Sequence, residues 1–161
     1  MIIEYNEKYL EDIKDLLVEL EQNMISIDED HLDQIHKDYR EKMALADLEK
    51  VYNNNGKCLL YLDENNKVQG LIMGSLVKYD ELDYLDYKCH KKGEIIELIV
   101  SEKTRNKGIG KKLINEMEKY FKSLDCKYVS LEVFAYNKKA INFYEKNGYH
   151  SRMEYMIKKI D

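Results

Sequence analysis

Glu94-Ile95-Ile96-Glu97-Leu98-Ile99-Val100-Ser101-Glu102-Lys103-Thr104-Arg105-Asn106-Lys107-Gly108-Ile109-Gly110 is an apolar run that ends in a basic, glycine-bearing turn. Glu94 to Val100 predicts a strand, and a helical pattern starts near Gly108 with Leu113, Met117, Phe121 and Leu124 on one face. Both glycines fall at the helix entrance. A helix N-terminus presents unpaired N–H groups and the positive end of the dipole, so it suits a phosphate. Glycine adds to this because no Cβ keeps the ligand from the backbone. Plain strand–helix connections also use basic, glycine-rich turns, so this stretch alone does not name a ligand.

Upstream, Ile2 and Ile3 begin an edge strand, and Tyr9, Ile13, Leu16, Leu17 and Leu20 repeat at helical spacing. Asp28 to Asp30 offer caps for a second helical stretch through Leu32, Ile35, Tyr39 and Met43, which Asn53-Asn54-Asn55-Gly56 ends. Residues 57–63 and 68–78 flank Glu64-Asn65-Asn66-Lys67 as a hairpin, and the polar segment 79–93 reads as a loop. Downstream, 128–134 predicts a strand, 138–146 a short helix closed by Asn147-Gly148, and 149–160 a final strand. The order β-α-α-β-β-β-α-β-α-β predicts a mixed sheet. A right-handed parallel crossover should join strands 94–100 and 128–134.

The 161 residues fit one domain, 1–161, and 44% hydrophobic with 35% charged residues describe a folded, soluble chain. A net charge of −5 argues against a nucleic-acid partner. No apolar run approaches the roughly 20 residues that span a bilayer, so no membrane partner is expected. The N-terminus lacks the basic and apolar regions of a secretory signal. Cys58, Cys89 and Cys126 form no C-x-x-C pair and are odd in number, which points to a reducing, cytoplasmic setting. His31, His36, His90 and His150 lack metal-ligand spacing, so no metal is expected.

The stretch from Val100 to Gly110 resembles the acyl-CoA signature of the GNAT N-acetyltransferase superfamily, R/Q-x-x-G-x-G/A after a strand that ends in valine. A second block, Asn137-Lys138-Lys139-Ala140-Ile141-Asn142-Phe143-Tyr144-Glu145-Lys146-Asn147-Gly148-Tyr149, is similar to the family's N-x-x-A-x-x-F/L-Y-x-x-x-G-F/Y and follows one helix and one strand later. The resemblance is specific over about 94–150 and departs from the family at Glu102, where proline is common. It implies an α/β (α+β) fold with a mixed, mostly antiparallel sheet, a splayed parallel strand pair and flanking helices. It also implies acetyl-CoA as co-substrate and a small-molecule or peptide amine as acceptor. Family members are often dimers, which leaves a homodimer open. A dinucleotide fold fits less well, because Leu113 stands where G-x-G-x-x-G has its third glycine. A non-catalytic acyl-CoA-binding regulatory domain is the alternative from another class.

By the resemblance, the N–H groups of Arg105, Asn106, Lys107, Gly108, Ile109, Gly110 and Lys111 wrap the CoA pyrophosphate. The backbone of Leu98, Ile99 and Val100 pairs with the pantetheine arm, and Asn137 contacts that arm from the opposite wall, although it also reads as a helix cap. Tyr144 matches the family's general acid, which protects the departing thiolate. The proton acceptor is open among Glu94, Glu97 and Glu132, carboxylates that interrupt apolar strands, or a water relay. Period-two alternation places Glu94 and Glu97 on opposite faces of one strand. Tyr79 to Tyr87 mixes tyrosines with carboxylates, which suits a cationic amine as well as a solvated loop.

Overall fold

Asp63 turns the chain back on itself: its carboxylate accepts the N–H groups of Asn65 at 2.8 Å and Lys67 at 3.0 Å, and Asn66 takes a positive φ of 59°. The turn joins β2 (Lys57–Leu62) to β3 (Val68–Leu76) at the centre of a five-stranded sheet. The computed structural model describes residues 1–160. β1 (Ile2–Glu4) pairs antiparallel with β2, β3 pairs antiparallel with β4 (Lys92–Val100), and β5 (Tyr128–Leu131) lies parallel to β4. The mixed sheet and its one parallel crossover are as the order of elements predicts.

Five α-helices accompany the sheet among the described residues: α1 (Leu10–Ile27), α2 (Tyr39–Asn53), the single turn α3 (Asp83–Asp86), α4 (Ile109–Ser123) and α5 (Lys138–Lys146). The sheet is buried on both faces. Ile13 and Leu17 of α1 and Ala44, Leu48 and Val51 of α2 pack on Leu60, Leu71, Met73 and Ile99. Leu113, Ile114, Met117 and Phe121 of α4 pack on Ile72 and Ile95, with Phe143 and Tyr144 of α5 at the margin. Each fully buried Leu, Ile or Phe contributes roughly 1.5–3 kcal/mol, so the two layers hold β4 firmly between them.

Three expectations change. Residues 31–38 do not begin the second helix, which starts at Tyr39. Instead the buried Asp28 carboxylate accepts the N–H groups of Asp30, Leu32 and Asp33, holding that segment as a loop with Leu32 exposed. The strand expected over 128–134 ends at Leu131. Residues 150–160 form no strand: all are exposed, and Met153, Tyr155 and Met156 stand in the open. Among the described residues, no helix is long and apolar enough to cross a membrane.

Candidate active site

α4 begins without a side-chain cap. Its first intrahelical bond runs from the Lys112 N–H to the Gly108 carbonyl at 3.1 Å. The N–H groups of Gly108, Ile109, Gly110 and Lys111 therefore precede the hydrogen-bonded ladder and converge at the positive end of the dipole. The two glycines serve different purposes. Gly108 sits at φ +75°, and a Cβ there would meet nothing within 4 Å, so its side faces open space. A Cβ on Gly110 would meet Phe143 Cζ at 3.2 Å, so that glycine lets α5 approach α4. Asn106 also takes a positive φ, 63°, which bends the turn into the cradle.

Arg105 is already engaged. Its N–H donates to the Glu102 carbonyl at 3.4 Å, and its Nε donates to the Val100 carbonyl at 3.1 Å. Its guanidinium lies 3.7 Å from Glu19 of α1, and Glu19 accepts the Glu102 N–H at 2.7 Å. The turn is thus tied to the end of β4 and to α1. Glu19 carries no sequence signal for this task, because it looks like any polar residue on a helix. Lys107 and Lys111 are exposed beside the cradle.

β4 is sealed along only half its length. β5 pairs with Lys92, Gly93, Glu94 and Ile95 and then ends, so Ile96 to Val100 keep β3 as their one neighbouring strand. The open half includes Leu98, Ile99 and Val100 and leads directly into the cradle. α5 closes the far side, where Asn137 caps the helix by accepting the Ala140 N–H at 3.1 Å. The cap reading of Asn137 is thus realised, while its Nδ2 points toward Met24 of α1 at 4.0 Å.

A bulge corrects the expected placement of the glutamates. Met73 pairs with Glu97 and Gly74 with Ile95, which leaves Ile96 as an extra residue in β4. Strict alternation would put Glu94 and Glu97 on opposite faces. The inserted residue brings both to the side of α1 and α2, where Glu94 meets Lys50 of α2 at 3.5 Å. Glu97 is mostly removed from solvent. Burial, followed by the nearby charges of Asp47 and Glu21, pushes its carboxyl up to about 8, against a smaller opposing effect of Lys50. Glu132 is exposed beyond the end of β5.

Tyr144 lies between the rings of Phe143 and Tyr149, at centroid distances of 5.4 and 5.8 Å. Burial pushes its phenol up to about 12, with the Glu97 charge adding to the effect. A phenol and a carboxyl that sense each other therefore flank the open half of β4. In the 79–87 loop, the Tyr79 ring already meets Lys92 at 5.9 Å.

The model of the acetyltransferase (GNAT) family matches residues 14–149, most of the chain and both blocks. The chain belongs to the GNAT family. This GNAT chain is 32% identical over 96 residues to an uncharacterised N-acetyltransferase of Methanocaldococcus jannaschii, a match covering 59% of the chain and 54% of that relative's length. It therefore spans about half the length of the curated relative it matches. In fold it is similar to the BH1408 protein of Bacillus halodurans, with a TM-score of 0.87 at 19% identity over 99% of both chains. It is likewise similar to the aminoglycoside N-acetyltransferase AAC(6')-Iy in complex with CoA, with a TM-score of 0.69 at 13% identity over 100% of this chain and 99% of the other. These likenesses agree with the GNAT fold described above: a five-stranded mixed sheet with one parallel pair.

Proposed function

We propose that this GNAT protein is an N-acetyltransferase that transfers the acetyl group of acetyl-CoA directly to a primary amine in a ternary complex. The observation that carries the reading is the half-open β4. Its unpaired edge runs into four uncommitted N–H groups, with Glu97 and Tyr144 on either side. The residues fit the co-substrate: the donors suit a pyrophosphate, and Gly108 leaves the approach clear of any Cβ. When bound, acetyl-CoA supplies an activated acetyl group and a thiolate leaving group.

The N–H groups from Asn106 to Lys111 hold the diphosphate, and the edge of β4 from Leu98 to Val100 takes the arm as an added strand. A backbone N–H of that edge polarises the reacting carbonyl. Glu97 accepts the proton that the ammonium must lose before it can attack. Its ionised form is the acceptor, and a carboxylate whose pKa is raised to about 8 holds a proton more strongly than one at its ordinary value, so the reaction should quicken as the pH rises toward 8. Glu94 is engaged with Lys50, and Glu132 is exposed beyond the end of β5, which favours Glu97 as the base. The Tyr144 hydroxyl, neutral at any physiological pH, donates its proton toward the departing sulfur. Its ring is held by Phe143 and Tyr149 for that purpose.

The test is thiol release from acetyl-CoA across a panel of small amines, aminoglycosides, polyamines and peptides. Amine-dependent release supports the reading. Tight acetyl-CoA binding with no turnover on any class would instead favour an acyl-CoA-binding regulatory domain.

A further inference from the structure

Asp47 of α2 is 7% exposed, and its Oδ2 is buried without a hydrogen-bond partner. Such a group weakens the fold unless it is satisfied by something the free protein lacks. It is near enough to Glu97 of β4 and to Tyr39 to raise both, which places it at the wedge between α1, α2 and β4, and burial raises its own carboxyl against the opposing Lys50. Glu21 of α1 lies in the same wedge. It accepts the Tyr39 hydroxyl at 3.3 Å and also acts on Glu97. The cation that opposes them is Lys50, and it sits 3.5 Å from Glu94. The wedge thus holds more carboxyl groups than cations. Among the described residues, no three acidic, His or Cys side chains lie close enough to hold a metal ion.

We propose that Asp47, with Glu21 beside it, binds a second ammonium group of the acceptor, which makes the acceptor an aliphatic di- or polyamine. The proposal rests on the acetyl-transfer reading above. Glu97 takes up the proton of the reacting nitrogen and so cannot also remain a lasting counter-ion. Burial raises both the Asp47 and the Glu21 carboxyl, so each is stabilised as an anion by a cation that stays, which a nitrogen that keeps its charge throughout supplies. The ammonium donors would satisfy the orphaned Oδ2, and the alkyl chain between the nitrogens would span from the wedge to Glu97. The chemistry gives a specificity rule: two amines separated by methylenes are favoured over one amine on a chain of the same length.

The experiment compares butylamine, 1,4-diaminobutane and spermidine by thiol release with the full chain and acetyl-CoA. The diamine is expected to exceed the monoamine in kcat/KM by about tenfold or more, as an added charge contact provides. Asp47→Asn should raise the KM for the diamine by about tenfold with kcat within about twofold, reducing the preference toward unity. Equal use of monoamine and diamine, or a preference that survives in Asp47→Asn, would overturn the proposal. Calorimetric titration of 1,4-diaminobutane into the protein without acetyl-CoA separates the two readings. Heat that disappears in Asp47→Asn supports the ammonium site even if no amine is acetylated, whereas no heat with the unaltered chain removes it. Glu21→Gln, expected to weaken the same heat, serves if Asp47→Asn does not fold.

Discussion

Glu97→Gln should change the pH dependence of stability by an amount that the surroundings of this carboxyl set. Folding moves its pKa from 4.5 to about 8, so the folded state holds the proton more tightly than the unfolded chain does. The stability associated with that proton is complete below 4.5 and is lost as the pH rises through about 8. At pH 7 the unfolded glutamate gains ~3.4 kcal/mol by ionising while the folded one gains almost nothing, a net loss of ~3 kcal/mol. Glutamine cannot ionise and keeps the shape. The stability of the variant relative to the unaltered protein should therefore rise by ~3 kcal/mol between pH 4 and pH 7. In a chain of this size that corresponds to a relative Tm shift of roughly 6–12 °C. Urea unfolding followed by circular dichroism at half-unit pH steps measures the difference, and any constant packing cost of the amide cancels in it. Parallel curves for the two proteins from pH 4 to pH 8 would show that Glu97 is not desolvated as described.

Tyr144→Phe should lower turnover in the thiol-release assay by about tenfold or more, with acetyl-CoA affinity and Tm little changed, because only the hydroxyl is lost. An unchanged rate would remove the phenol from the reaction. Gly108→Glu places an anion at the cradle and a side chain at φ +75°, so calorimetry should find acetyl-CoA binding lost. The backbone cost of about 1–2 kcal/mol leaves the domain folded by circular dichroism. Deleting residues 151–161 removes ten described residues that are all exposed, so Tm should move by no more than about 3 °C in differential scanning calorimetry.

The parts of the fold that depend on neighbours in sequence were readable in advance. The strand, turn and helix from Glu94 to Ser123 follow from local periodicity and the glycines, and Asn137 caps α5 as its position suggests. The bulge at Ile96 was not readable, because β3 imposes it from more than twenty residues away and a continuous apolar run carries no mark of an inserted residue. Asp28 misleads for a related reason: it captures N–H groups as a helix cap would, yet the residues that follow stay in a loop until Tyr39. The alternation of Met153, Tyr155 and Ile157 has the period of a strand, but among the described residues no partner strand meets it. Asp47 was legible in part: it interrupts the stripe Ala44, Leu48 and Val51 at helical spacing, and the packing of that face against α1 and the sheet buries it.

The point where β5 leaves β4 behaves like the stop on a zipper. Four paired residues hold the teeth together, and the five that follow on β4 stay apart because β5 ends at Leu131. Slot depth is thus a matter of counting: each further pair that residues 132–134 formed with β4 would close about 3.3 Å of the gap. Changes in that short stretch would act as a length gauge for what can lie in the fork, without altering any residue that touches the reacting atoms.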